Sequence, residues 1–480
     1  MMTRKPASAC PLHLNRRGFL KGVGVSAVAL QLGVFETASS LLGEPPKPKG
    51  TCRILAAFAH PDVKEYWMGW PGAAYDIAGH QKLYTETMQV AAKNLGVDLD
   101  IQQEPVHDDK TLAAYLQKVA GAKPVGVLLV CMSLHPDMWV QINQFLEKRG
   151  DVPTVVFSPM GTSFTGHLQA SRNAKKAFVG ATQDVQWLQT ALRMLRTVYD
   201  MAQTRICIVA GNKAVDRKLE VIGTTLHYVP HTVYFEAKEE VKESDEVRQM
   251  ADWYEKHARK IVEPKKKDIL DAAMNYFACR KVMQDEDCHG FSMDCLGPVR
   301  SRKITPPCLA FSHLRDEGIV GACEADWNAS ISSRLTHLLF NRPGFMQDPA
   351  PNTVRNTLMA AHCTCGVRLR GFDKDPEPFI LRSHSESNLG VAMQVLWPVG
   401  ERITLMKFVG PEKIILGTGE ILANIDTPPS GGCRTSVECT VDGLADSRDT
   451  KGFHQLLIWG DVEDEFKAYC SLAGIEVEHI

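Results

Sequence analysis

The segment Gly318–Ser330, GIVGACEADWNAS, is an apolar run that ends in two carboxylates, Glu324 and Asp326. GIVGACEA predicts a buried β-strand, and the residues from Asn328 onward predict a helix. In an open parallel sheet, ligands bind beyond the carboxyl ends of the strands. Asp326 would lie at that edge, where the dipole of the helix favours its charge. Helix capping alone would account for Asp326. It does not account for Glu324, which strand alternation would place on the same side.

The chain before this segment alternates apolar runs with amphipathic stretches. CRILAAFAH, VGVLLVCM and VPTVVFS predict strands, and helical patterns such as YTETMQVAAKNLG separate them. A second unit follows, with RICIVAG and GFSMDCLG as its strands. Continuous apolar strands between amphipathic helices indicate parallel sheets that are covered on both faces.

The pattern changes near Phe345, where short β-branched runs punctuated by Gly and Pro begin, as in GVAMQVLWPVGERITLMKFVG and EKIILGTGEIL. Such runs are typical of an antiparallel sheet or barrel. The predicted fold class is therefore α/β, with two tandem parallel-sheet α/β domains followed by a mostly antiparallel β C-terminal domain. The predicted ranges are a signal and linker at 1–48, α/β domains at 49–175 and 176–344, and a β-rich isomerase-like domain at 345–480.

Charge and cysteine usage exclude several classes of function. The net charge is −2, so a basic face of the kind that binds nucleic acid or an anionic membrane is not expected. Most of the 14 cysteines lie inside apolar runs, and Cys363 and Cys365 form only C-x-C without a second pair. Buried free thiols are therefore expected rather than a structural zinc site or a disulfide framework.

The N-terminus predicts export. Arg16 and Arg17 precede Phe19 and Leu20, and a short, weakly apolar run and the Pro/Lys linker EPPKPKG follow. This order resembles a twin-arginine signal, which places the protein in the periplasm or outside the cytoplasm. A buried helix preceded by surface arginines, in a cytoplasmic protein, is the alternative. After signal removal no membrane span is expected, since no other segment is long and apolar enough.

Four segments taken in order carry a family resemblance: PCLAFSHLRDEGIVGACEADWNASIS, NTLMAAHC, FILRSHSESNLGVAMQV and FHQLLIWGD. Together they resemble the L-fucose/L-arabinose isomerase-like family over most of Asp294–Ile480. The resemblance implies a metal-dependent isomerase that interconverts an aldose and a ketose sugar through an enediolate, with Mn²⁺ as the usual ion. A sugar substrate and a homo-oligomer are the expected partners.

Site residues follow from the matching motifs. The resemblance implies that Asp326 is a metal ligand or acid–base group and that His454 is a second ligand. His384 in RSHSES is expected to contact substrate. His362 in AAHC has apolar surroundings, which favour a hydrogen-bonded core histidine over a functional one.

One departure concerns the acid that family isomerases carry upstream of EAD. The corresponding stretch, CLGPVRSRKITPP, contains Arg300, Arg302 and Lys303 but no carboxylate. Glu324 or Asp294 would have to supply the catalytic acid–base group. The basic residues, Arg302 among them, would instead suit an anionic or modified sugar.

Two alternatives remain open at this point. An exported, non-catalytic sugar-binding protein derived from the isomerase fold would tolerate the missing acid. An oxidoreductase is disfavoured, because CRILAAFAHPD offers no G-x-G-x-x-G after the first strand.

The arginine pair gives the first testable prediction. Replacing Arg16 and Arg17 with lysine should leave the precursor in the cytoplasm, because twin-arginine export depends on the pair. Cell fractionation of a fusion to the first 48 residues measures this, with the unaltered fusion as control. Unchanged export of the lysine variant would contradict the assignment.

Overall fold

The structure is a computed structural model of the chain, and it describes residues 50–63, 65–67, 74–428 and 432–480. The predicted twin-arginine signal lies outside the described residues and remains a prediction.

Five parallel strands form the first sheet. Their spatial order is Asp98–Gln102, Arg53–Ala59, Gly126–Cys131, Thr154–Ser158 and Ala177–Ala181. All four neighbouring pairs are parallel. The last strand lies within the range predicted for the second domain, 176–344, yet it pairs with this first sheet.

Helices cover both faces of the first sheet, as its uninterrupted apolar strands require. Ile54, Ala56 and Phe58 pack on one face with the helices Ile77–Leu95 and Trp187–Gln203. The alternate residues of the strand pack on the other face with the helices Asp109–Ala122 and Pro136–Lys148. A short helix, Thr165–Arg172, and a two-stranded ribbon, Glu65–Trp67 with Ala74–Asp76, complete this unit.

The second sheet contains the opening segment at its edge. The order is Val320–Cys323, Gly290–Met293, Arg205–Val209, Thr225–Val229 and Val215–Lys218, and only the last strand is antiparallel. The helices of this unit are His231–Glu240, Asp245–His257, Lys266–Asp285, Leu296–Arg300, Cys308–Asp316 and Trp327–Phe340.

Gly321 allows the strand Val320–Cys323 to lie directly against the helix Cys308–Asp316. A Cβ atom at Gly321 would lie 2.5 Å from the carbonyl oxygen of Phe311. Since that neighbour is backbone, it cannot rotate away, and any larger residue would push the helix off the sheet. This close packing fixes where the strand ends and the site residues begin.

The C-terminal part is a closed antiparallel barrel. Its strands, in order around the barrel, are Arg402–Phe408, Gln455–Trp459, Phe345–Asn352, Thr357–His362, Thr435–Cys439 and Lys413–Asn424. The last strand pairs with the first, which closes the barrel and leaves no open edge there. The helix Glu463–Ala473 and the strand Glu476–His479 end the chain.

A small sheet ties the barrel to the second α/β unit. The strand Lys260–Ile261 pairs with Phe379–Arg382, which pairs with Ala392–Val395. Parallel α/β elements followed by antiparallel β structure confirm the predicted order of fold types. The predicted domain ranges themselves stay a prediction.

The cysteines among the described residues are all free, and all but Cys433 are buried. This agrees with the buried free thiols that their apolar surroundings predicted. Among the same residues, no helix combines the length and the apolar character that crossing a bilayer requires.

Candidate functional site

The opening segment turns sharply where its strand ends. The strand stops at Cys323, and Glu324 and Ala325 both have left-handed backbones, with φ of 58° and 52°. The expected continuation of the strand through Ala325 is therefore wrong. The position of the Glu324 side chain, near His454, is set by this two-residue left-handed turn and not by strand alternation. Such backbone costs about 1–3 kcal/mol per non-glycine residue and is concentrated at functional sites.

Asp326 caps the following helix and also reaches the barrel. Its Oδ1 accepts a hydrogen bond from the Ala329 amide at 2.9 Å. Its Oδ2 accepts from Lys407 Nζ at 2.7 Å and from His454 Nδ1 at 2.9 Å. Burial opposes ionisation, but the hydrogen bonds from His454 and Lys407 and the lysine charge outweigh it and lower the pKa of Asp326 to about 2. Both carboxylate oxygens are thus occupied.

His454 is held rigidly at the start of the strand Gln455–Trp459. Its side chain is 4% exposed, and its backbone is left-handed with φ 57°. Because ionised Asp326 can only accept, His454 Nδ1 must carry the donated proton. In the neutral imidazole the other nitrogen, Nε2, then presents a lone pair.

Acceptor atoms converge on His454 Nε2. The Asp348 Oδ1 atom is 3.2 Å away and the Glu324 Oε2 atom is 3.6 Å away. His454 Nε2 and Asp348 Oδ1 are both buried and make no well-aligned hydrogen bond. Burial raises the pKa of the Asp348 carboxyl to about 6, against the opposing influence of His454. Oxygen and nitrogen lone pairs so close together require a proton or a cation between them.

His362 completes this group from the end of the strand Thr357–His362. Its ring lies 5.6 Å from the His454 ring, at 71° to it, and its Nδ1 is 3.1 Å from Thr364 Oγ1. Burial lowers the pKa of His362 well below its usual range, so the imidazole is neutral. One ligand atom each from Glu324, His362 and His454 lie within 4.8 Å of one another. These three residues could hold a metal ion, and Asp326 is not among them.

The two predicted substrate-binding residues, Arg302 and His384, lie together in a neighbouring cleft. Arg302 and His384 both line a cavity of about 260 Å³, beside Arg300 and Glu386. Arg300 Nη2 is 3.5 Å from a Glu386 carboxylate oxygen, so this arginine already has an acidic partner. Ser385, the neighbour of His384, has its Oγ 3.5 Å from the Sγ of Cys363, the residue after His362, which places the cleft beside Glu324, His362 and His454.

Asp294 is less closely tied to the site. It is exposed after the strand Gly290–Met293, and its backbone carbonyl accepts a hydrogen bond from His231 Nε2 at 2.7 Å. Of the two acids offered as substitutes for the missing upstream carboxylate, only Glu324 faces His454.

Asp348 was not among the predicted site residues, and His362 was interpreted as a core histidine. Asp348 lies in the strand Phe345–Asn352, whose sequence contains two prolines. Because proline is rare inside strands, this segment was not predicted to be one, and Asp348 belongs to no recognised motif. His362 is buried as expected, but the edge of a barrel strand also directs it towards His454. An acid and a histidine following two apolar runs were the available signals.

Comparisons with known proteins are sparse. No protein-family model matches the chain. The chain is 27% identical over 186 residues to the sulfoquinovose isomerase of Clostridium sp. (strain MSTE9), a match over 36% of this chain. The matched part spans 40% of that relative's length. The chain therefore has a weak, partial similarity to a sugar isomerase.

The site geometry makes a prediction about metal binding. Glu324→Gln, His362→Gln and His454→Gln should each abolish stoichiometric Mn²⁺ binding, because each removes one converging lone pair. Asp326→Asn should weaken binding by about 10–100-fold, the usual effect of losing the partner that orients a ligand histidine. Metal analysis and calorimetric titration of the purified protein measure this.

His384→Gln is the matched control, since it alters a buried histidine beside the group and should keep full metal content. Full Mn²⁺ stoichiometry in all three ligand variants would contradict the site.

Proposed function

We propose that the protein is a metal-dependent aldose–ketose isomerase acting on an anionic sugar through an enediolate. The observation that carries this proposal is the convergence of Glu324, Asp348, His362 and His454 lone pairs in a largely buried group. The weak similarity to a sugar isomerase supports the same class. We also retain export by the twin-arginine route and a homo-oligomer as proposals.

The residues present fit a divalent ion. Two buried atoms, His454 Nε2 and Asp348 Oδ1, lack hydrogen-bond partners, and the donor set mixes carboxylate oxygen with neutral imidazole. Manganese accepts such a mixture. Glu324, His362 and His454 would hold the ion, which when bound would polarise the sugar carbonyl and stabilise negative charge on the oxygens of the enediolate.

Aldose–ketose conversion moves a proton between two neighbouring carbons, which requires an acid–base group beside the bound sugar. Asp348 suits this role because burial brings the pKa of its carboxyl to about 6, near the value at which a group both accepts and returns protons. Its Oδ1 has no competing hydrogen bond. Glu324, the sequence-based candidate, approaches the same His454 nitrogen as Asp348 and would serve as the second carboxylate.

Asp326 is better suited to positioning than to direct ligation. Its oxygens already accept from Ala329, Lys407 and His454. By accepting the Nδ1 proton, Asp326 fixes the tautomer and orientation of His454, as carboxylates commonly do behind ligand histidines. Direct ligation by Asp326 stays a prediction of the family resemblance.

The cleft of Arg302 and His384 supplies the substrate class. Arg302 has a left-handed backbone, with φ 53°, and lines the cavity beside Leu296 and Leu389. A guanidinium binds carboxylate or sulfonate oxygens through paired N–H groups. The relative's name gives a sulfo-sugar as its substrate, which supports an anionic sugar here.

The proposed reaction predicts sugar interconversion. Mn²⁺-loaded protein incubated with pentoses, hexoses and their anionic derivatives should interconvert one aldose–ketose pair, detected by NMR. In heavy water, deuterium should enter at the carbon next to the carbonyl where the proton exchanges with solvent. Asp348→Asn should lower kcat by about a hundredfold or more, the scale of a lost acid–base group, and Glu324→Gln should lose turnover together with its bound metal.

Asp294→Asn serves as the control and should keep its activity, because this exposed acid does not face His454. Tight sugar binding with neither interconversion nor exchange would overturn the isomerase and support the alternative, an exported non-catalytic sugar-binding protein.

The arginine cleft makes a separate prediction. Arg302→Gln should weaken binding of an anionic sugar by roughly tenfold, the effect of about 1.4 kcal/mol, and leave a matched neutral sugar unaffected. Arg300→Gln is the control and should have a smaller effect, since Arg300 already pairs with Glu386. Calorimetry at low and high salt measures both, because salt screens the charge interaction. Equal affinity of the unaltered protein for the neutral and anionic sugars would contradict the assignment.

A further inference from the structure

Two thiols from different strands meet beside the site. Cys363 directly follows the strand Thr357–His362, and Cys433 lies just before the strand Thr435–Cys439. The two strands pair antiparallel, with His362 opposite Thr435 as the last pair. The Cys433 side chain packs against a cluster that contains Cys363, and both thiols are free.

The backbone is suitable for linking these two residues. Cys363 follows the last pair, His362–Thr435, by one residue, and Cys433 precedes that pair by two residues on the other strand. Opposite residues of antiparallel strands have Cα atoms about 4.5–5.5 Å apart, and disulfides span Cα separations of about 4.4–6.8 Å. Regular pairing stops at His362 and the chain bends at Cys363 and Arg434. Strand alternation therefore does not force the two side chains to opposite faces.

The surroundings make one thiol accessible and shield the other. Cys363 is 3% exposed and packs with Cys308 and Ala392, whereas Cys433 is only partly buried against them. Cys363 Sγ also lies 3.5 Å from Ser385 Oγ. An external reagent would therefore reach Cys433 first, and Cys363 would be the second thiol to react.

We infer that Cys363 and Cys433 form a reversible disulfide-forming pair, oxidised by small-molecule disulfides. The inference is independent of the proposed isomerase activity, since it requires neither a metal nor a sugar. It concerns a site that the fold places at the end of the strand carrying His362.

The chemistry is thiol–disulfide exchange in two steps. Cys433 Sγ loses its proton and attacks one sulfur of the reagent, whose S–S bond breaks, and the departing reagent sulfur takes up a proton and leaves as a thiol. Cys363 Sγ then attacks Cys433 Sγ in this mixed disulfide, which forms the protein S–S bond and releases the second reagent thiol. In total the two protein thiols lose two electrons and two protons. The reagent disulfide gains these electrons and protons and is thereby reduced to two thiols.

The test uses the whole chain, purified in its folded, reduced form and incubated with oxidised glutathione. Non-reducing proteolysis and mass spectrometry should show a Cys363–Cys433 crosslinked peptide, lighter by two hydrogen atoms, that dithiothreitol removes. Cys363→Ser should instead accumulate one glutathione on Cys433, because the second thiol is missing. Cys433→Ser should leave Cys363 unmodified, because Cys363 is shielded.

Cys470 is the internal control: it is a buried thiol on the helix Glu463–Ala473 and should stay unmodified throughout. Stable glutathione on Cys433 of the unaltered protein without a crosslink would overturn the inference. So would a Cys308–Cys433 crosslink, or no reaction at either residue. The unaltered protein decides these outcomes by itself, even if a serine variant fails to fold.

Discussion

The hydrogen bonds of Asp326 are the interaction on which the site depends. One carboxylate caps the helix Trp327–Phe340 and binds Lys407 and His454, both from the barrel. It therefore joins the edge of the second parallel sheet to the closed barrel. Since its charge is largely buried, removing one partner of such a group costs about 3–5 kcal/mol. The contact also sets the chemistry: with Nδ1 committed to Asp326, only Nε2 of His454 is left to face Glu324 and Asp348.

Two kinds of architecture supply the site. The parallel sheet contributes the turn after Cys323, where left-handed backbone turns Glu324 towards the barrel. The barrel contributes Asp348, His362 and His454, from three strands that are consecutive neighbours in its sheet. Neither part has a complete set of ligands. The cleft of Arg302 and His384 and the thiol pair lie along the same junction, so substrate recognition and thiol chemistry would share it with the metal-ligand group.

The sequence predicted part of this arrangement. EAD after an apolar run correctly indicated that a strand gives way to a helix capped by Asp326, and Glu324, Asp326 and His454 do lie together. Strand alternation was the wrong reason for the position of Glu324, because the strand ends at Cys323. Asp348 escaped notice because its strand contains two prolines. His362 was read as a core histidine, since burial in an apolar strand gives the same pattern whether or not a lone pair faces a cavity.

The sequence by itself determined the order of strands and helices, the burial of the thiols and the helix cap at Asp326. Each depends on residues a few positions apart. Tertiary structure alone decided the rest. It assigned the strand Ala177–Ala181 to the first sheet and paired Phe345–Asn352 with Gln455–Trp459 in the barrel. It also brought His454 to Asp326 across 128 positions of the chain. Many strand pairings satisfy the same apolar pattern, and only packing of the whole chain selects among them.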